Sequence, residues 1–196
     1  MRLRKLLFSG IFIPFLGLTG CGDSGPVKPV SGEAYFDVPG FMQQQLAALN
    51  KQQPALQKTV WVNQEKPETQ QVQNINWEEE LQHFLEIDLN KKALQGAYAV
   101  SEENTAAGKR ITYNRKAAIN TPVRMLEILT DKGNAVKQLR AVSEEKNALF
   151  YNREERLLTI GPDQILQKYY VSGVQKVILF DSLHYTAKAA AVRELK

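Results

Sequence analysis

The sequence is poor in metal-binding and redox chemistry. Among 196 residues there is one cysteine, Cys21, and two histidines, His83 and His184. One thiol cannot close an intrachain disulfide, and zinc sites built from several Cys or His ligands have too few donors. No glycine-rich phosphate loop, H-E-x-x-H pair or calcium-loop pattern occurs. Ser101, Ser143, Ser172 and Ser182 all lack a G-x-S-x-G setting. No cofactor is therefore expected. The longest apolar run is also too short for a helix crossing ~30 Å of hydrocarbon, which needs about 20 residues. What remains is 43% hydrophobic and 23% charged, a composition that builds a packed core. The length suits one domain of roughly 100–200 residues.

The N-terminus carries the sharpest motif. Arg2, Arg4 and Lys5 precede an apolar stretch from Leu6 to Leu18, interrupted by Pro14. Leu18-Thr19-Gly20-Cys21 follows. A basic start, a short apolar segment and small residues before a cleavage point make a signal peptide. The final four residues resemble the lipobox of bacterial lipoproteins. That resemblance implies cleavage between Gly20 and Cys21, a diacylglycerol on the Cys21 thiol and a fatty acyl group such as palmitate on its amino nitrogen. Several chains hold a protein on a membrane where one would not, because each buried CH₂ adds about 0.8 kcal/mol. Gly22, rather than Asp, resembles the outer-membrane sorting pattern. The expected organisation is a signal peptide over 1–20, a Gly/Pro/Ser-rich tether over 21–35 bearing lipidated Cys21, and one folded domain over 36–196.

The formal charge of +4 invites a nucleic-acid reading. Removal of Arg2, Arg4 and Lys5 leaves 22 cations against 21 acids, so the expected product is nearly neutral. No nucleic-acid partner is expected.

Periodicity gives the fold. Asp37 and Pro39 open a helix whose stripe is Met42, Leu46 and Leu49, and Pro54 ends it. Residues 58–64 and 68–75 read as a hairpin turned at Glu65-Lys66-Pro67. Asn76 and Glu79 form a capping pair for a second helix that buries Trp77, Leu81, Phe84 and Leu85 and runs to Lys91-Lys92. Strands are expected at 95–102, 109–114, 122–130, 135–143, 146–152, 155–160, 165–180 and 183–193. Short links between them make an antiparallel meander. The predicted class is α+β: two N-terminal helices and a hairpin packed on a curved antiparallel meander, half-barrel-like.

Phe36-Asp37-Val38-Pro39-Gly40-Phe41, Lys58-Thr59-Val60 with Asn63, Trp77-Glu78-Glu79-Glu80-Leu81 with Phe84, and Asp88-Leu89-Asn90-Lys91 together resemble an uncharacterised lipoprotein family of Bacteroidota-type bacteria. Gln175-Lys176-Val177 and Tyr185 are also similar. Lys92-Ala93-Leu94 departs from the pattern, where proline and an aromatic are expected. The resemblance implies a location and a fold, not an activity.

Candidate chemistry is sparse. His83 and His184 read as surface or boundary residues. Glu78-Glu79-Glu80, Glu102-Glu103, Glu144-Glu145 and Glu154-Glu155 read as helix-start and turn charges, because neighbours on a strand face opposite ways. Lys109-Arg110 and Arg115-Lys116 flank Tyr113 and read as solvated strand ends. Val177 to Phe180 is apolar on both faces. It is expected either to be covered by helices or to line a groove for an apolar ligand. The functional expectation is a non-enzymatic, lipid-anchored envelope protein that binds a partner protein. The alternative is a carrier or sensor of a lipid in a half-barrel groove; an enzyme is the third reading.

Overall fold

A computed structural model of the chain describes residues 34–63 and 65–192. The predicted signal peptide, Cys21 and nearly all of the predicted tether lie outside the described residues.

Helix α1 spans Val38–Gln52. Asp37 caps it, its Oδ1 accepting the Gly40 N–H at 3.0 Å. Gln53, in a left-handed conformation, closes it by donating its N–H to the Leu49 carbonyl. Val38, Met42, Leu46 and Leu49 are buried. Each such side chain stabilises the fold by roughly 2 kcal/mol. Gln45 on the same stripe is also buried, but it is satisfied. Its Oε1 accepts the Leu166 N–H at 2.8 Å and its Nε2 donates to the Gln164 carbonyl at 3.2 Å.

The rest is one nine-stranded antiparallel sheet: β1 (Ala55–Val62), β2 (Glu68–Val72), β3 (Tyr98–Thr105), β4 (Gly108–Arg115), β5 (Val123–Asp131), β6 (Val136–Lys146), β7 (Phe150–Ile160), β8 (Leu166–Val177) and β9 (Leu183–Val192). The order is β2-β1-β9-β8-β7-β6-β5-β4-β3, so the meander from β3 to β9 is extended by the early hairpin. The sheet does not close, and β2 and β3 are its edges. The α+β class with a β-meander is as expected.

The helices cover one face, here the inner face. Cross-strand register builds it in rows. One row holds Ile128, Leu139, Leu158, Tyr169, Ala189 and Lys58; the next holds Leu126, Ala141, Arg156, Val171, Ala187 and Val60. Trp77, Leu81 and Phe84 pack on this face, and the Phe84 ring meets Tyr169 edge-on at 6.0 Å.

Three expectations need correction. The second helix is two short pieces, α2 (Trp77–Glu80) and α3 (Gln82–Leu85). Leu81 between them has φ −104° and ψ 12°, outside helical values. Its Asn76 cap forms, but Lys91-Lys92 is not its last turn. Ile87 and Leu89 are fully buried, and the chain drops out of helix to insert both. Strands 135–143 and 146–152 do not part at a turn over Ser143 to Glu145, and 146–152 and 155–160 are not separate strands. β6 and β7 run through, and the turn is at Asn147, whose Oδ1 accepts the N–H groups of Leu149 and Phe150 at 2.9 Å each. Finally, β8 stops at Val177, and Val177 to Phe180 is solvent-exposed. Nothing among the described residues covers it.

Candidate functional site

Three side-chain assemblies stand out, two on the inner face of the sheet and one on the outer. On the inner face, β6, β7, β8 and β9 align Ser143, Glu154, Gly173 and Tyr185 in one row. Arg156 lies two residues along β7. Glu154 and Arg156 are both buried. A buried ion survives only with partners, and these have several. Arg156 Nε lies 2.5 Å from Glu154 Oε1. This contact is an ion pair and not an aligned hydrogen bond, since Nε has no hydrogen-bond partner among the described residues. The other guanidinium nitrogens are aligned: Nη1 donates to the His83 carbonyl at 2.6 Å and Nη2 to Ser143 Oγ at 2.8 Å. Tyr185 donates its O–H to Glu154 Oε2 at 2.5 Å. His83 Nδ1 stands 3.6 Å from Glu154 Oε1.

The electrostatics of this cluster decide its chemistry. Burial opposes the Glu154 charge, but the His83 ring 3.6 Å away, the hydrogen bond from Tyr185 and the Arg156 charge together outweigh it, and hold its carboxyl down at about 2. Burial and the neighbouring carboxylate push the Tyr185 phenol well above its ordinary range. The Glu154 carboxylate beside it raises His83. Glu154 is thus a weak base and Tyr185 a weak acid at neutral pH. By its contacts the assembly is a clamp. Arg156 reaches from the sheet to the α3 backbone and fixes the helical segment on it.

A second clamp lies beside it. Lys58 Nζ pairs with Glu80 Oε1 at 2.8 Å, and Tyr169 donates its O–H to the same oxygen. Burial and Glu80 push the Tyr169 phenol far up. This ties α2 to β1 and β8.

The outer face carries an open groove of about 540 Å³ lined mainly by Gln57, Thr59, Thr69, Leu157, Thr159, Lys168, Tyr170, Lys188 and Ala190. At its side Lys188 Nζ lies 5.1 Å from the Trp61 ring centroid and 5.7 Å from that of Tyr170. The cation spans two half-buried rings. Alternation along β1 and β9 produces this: Gln57, Thr59 and Trp61 point outward where Leu56, Lys58 and Val60 point inward. The groove adjoins β2, whose far edge pairs with no strand among the described residues.

The residues singled out from sequence are dispersed. His83 and His184 do not meet. His83 sits over the inner row, whereas His184 is in the outer row with Val174 and Arg153. His184 instead latches the β1–β2 turn, accepting the Asn63 N–H at 2.6 Å and donating its N–H to Asn63 Oδ1 at 2.9 Å. Glu154 and Glu155 do face opposite ways, Glu155 pairing with Arg140 at 2.6 Å. Glu102 and Glu103 pair with Lys109 and Arg110 at 3.1 and 2.8 Å. Lys116 donates to the Gly96 carbonyl, Arg115 to the Thr121 carbonyl, and Tyr113 between the basic pairs is buried. Among the described residues no three His, Cys, Asp or Glu side chains are placed to hold a metal ion. Sequence reading missed Arg156, Tyr185, Trp61 and Lys188 as cluster members. Their only signal was an uncommon residue type on a strand of known alternation.

Comparison with protein-family models, with curated proteins and with solved structures returned no match.

Proposed function

We propose that this chain is a lipid-anchored protein of the bacterial envelope, held at the outer membrane through Cys21, and that its folded domain is a non-enzymatic binding module for an envelope protein. The Leu18-Thr19-Gly20-Cys21 motif supports the anchor. The observation that carries the binding reading is the outer-face groove, with Lys188 held against Trp61 and Tyr170. An extended peptide segment fits its position. The free edge of β2 offers backbone donors and acceptors for an added strand, and Thr59 and Thr69 lie beside it.

Both parts are open to experiment. Cys21→Ala should move the protein from the membrane to the soluble envelope fraction, and unchanged membrane association removes the anchor. A photo-crosslinking residue at Thr59 should give a discrete adduct in cells, weakened by Lys188→Glu and missing when the crosslinker replaces Lys132. Identical patterns at Thr59 and Lys132 would sink the groove reading.

A further inference from the structure

One end of the sheet ends in bare apolar side chains. The β8–β9 turn presents Ile178, Leu179 and Phe180, which are 50%, 96% and 71% exposed. Leu149, on the β6–β7 turn, is 62% exposed and stands beside them. The two turns are joined, since Ile178 donates its N–H to the Leu149 carbonyl at 2.9 Å. Leu179 holds φ at +70°, a left-handed value that favours Gly or Asn and disfavours a branched side chain. Glycine there would relieve both the backbone and the exposure. A leucine that opposes local backbone preference and burial alike marks a functional position.

We infer that this paired tip, Leu149 with Ile178, Leu179 and Phe180, inserts into the lipid surface to which the chain is anchored. The inference rests on the anchor reading given above. Charge and aromatic placement fit a membrane surface. Directly behind the tip, cross-strand register puts Lys146, Tyr151 and Lys176 in one row. Lysine attracts anionic headgroups and tyrosine prefers the interfacial layer. Asp181 is the acid within the turn, and it is followed at once by Ser182 and exposed Leu183.

The course of the chain fits as well. Twelve residues separate Cys21 from Ala34, where the described structure begins. They reach at most about 45 Å when extended. Tyr35 sits at the start of β3, its O–H oxygen accepting the Tyr98 N–H at 3.1 Å. In an antiparallel meander the start of β3 and the end of β8 lie at the same end of the sheet. Five strand spacings between them amount to about 24 Å. The lipid anchor therefore reaches the membrane on which the tip would rest.

The test uses the full acylated protein, extracted from membranes and reconstituted into vesicles of phosphatidylethanolamine and phosphatidylglycerol with brominated acyl chains. Phe180→Trp in a Trp61→Phe background reports the tip; Lys132→Trp in the same background reports the opposite end. Circular dichroism checks that both fold. The tip indole should be quenched at least twofold and the Lys132→Trp indole hardly at all. Leu179→Asp added to the tip reporter should abolish the quenching. A protein that floats with the vesicles while its tip indole is quenched no more than the control overturns the insertion and leaves the anchor standing. An intact mass lacking acyl groups, with the tip still quenched, overturns the anchor and leaves the insertion. Failure to float overturns both. A concentration-dependent blue shift of the tip indole without lipid assigns the tip to a second copy of the chain and overturns the insertion.

Discussion

Tyr185 reaches the Glu154 carboxylate across Gly173. The three occupy one row on neighbouring strands, and a Cβ on Gly173 would come 2.4 Å from the Tyr185 ring. The missing side chain is what lets the ring lie down over β8 and bring its hydroxyl to the acid two strands away. Glycine here serves close approach.

Gly173→Ala should therefore displace the ring and cost about 1–3 kcal/mol, the range for overpacking a filled site. Tyr185→Phe should cost a similar amount by removing a hydrogen bond to a charge. The two effects should not add. Urea unfolding of both single variants and the double would show coupling, and strict additivity would mean that the ring does not move.

The acid limb of stability should belong largely to Glu154. Its carboxyl sits near 2 in the folded protein against an ordinary value of 4.5. A depressed folded value stabilises above the unfolded pKa and fades as pH falls. The contribution is thus fully present above about pH 5 and is lost progressively toward pH 2, up to about 3 kcal/mol. His83 is raised, so its contribution is present below its ordinary value of 6.5 and is lost as pH rises past its folded value. Glu154→Gln should flatten the acid limb of a pH series of urea midpoints. An unchanged slope would place that titration elsewhere.

Arg156→Ala should be among the most damaging substitutions on the sheet. It leaves the Glu154 charge buried and strips the His83 carbonyl and Ser143 Oγ of their donor. Breaking a buried pair from one side costs about 3–5 kcal/mol. Hydrogen exchange should show early opening of α3. A change confined to β7 with α3 still protected would contradict the clamp.

Lys188→Ala should alter the groove but hardly the fold. An exposed cation over aromatic rings contributes about 0.5–1 kcal/mol. The readout is Trp61 emission, because Trp77, the other indole, is fully buried. A shift in emission with a nearly unchanged urea midpoint is the expected pair of results.

The local signals in the sequence were accurate where the physics is local. Asp37 with Pro39 gave α1 to within a residue, because capping involves groups three residues apart. The strand expected over 183–193 is β9. The errors came where a distant partner wins. Leu81 leaves helical geometry so that Ile87 and Leu89 can enter the core. Glu144 looked like a turn residue, but it pairs in register with Arg153 of β7, and the strand runs through it. Val177 to Phe180 looked like core, and nothing in its composition says that the chain turns there in the open.

The sequence by itself determined the α+β class and the meander, because each depends on near neighbours along the chain. It also carries the motif Leu18-Thr19-Gly20-Cys21, which resembles a lipobox and needs no fold to be read. The tertiary structure alone decided that Glu154 meets Arg156, Tyr185 and His83, that Lys188 lies against Trp61 and Tyr170, and that the two apolar turns stand side by side. Those meetings are set by strand order and register across the sheet, and a shift of one residue would send every one of these side chains to the other face.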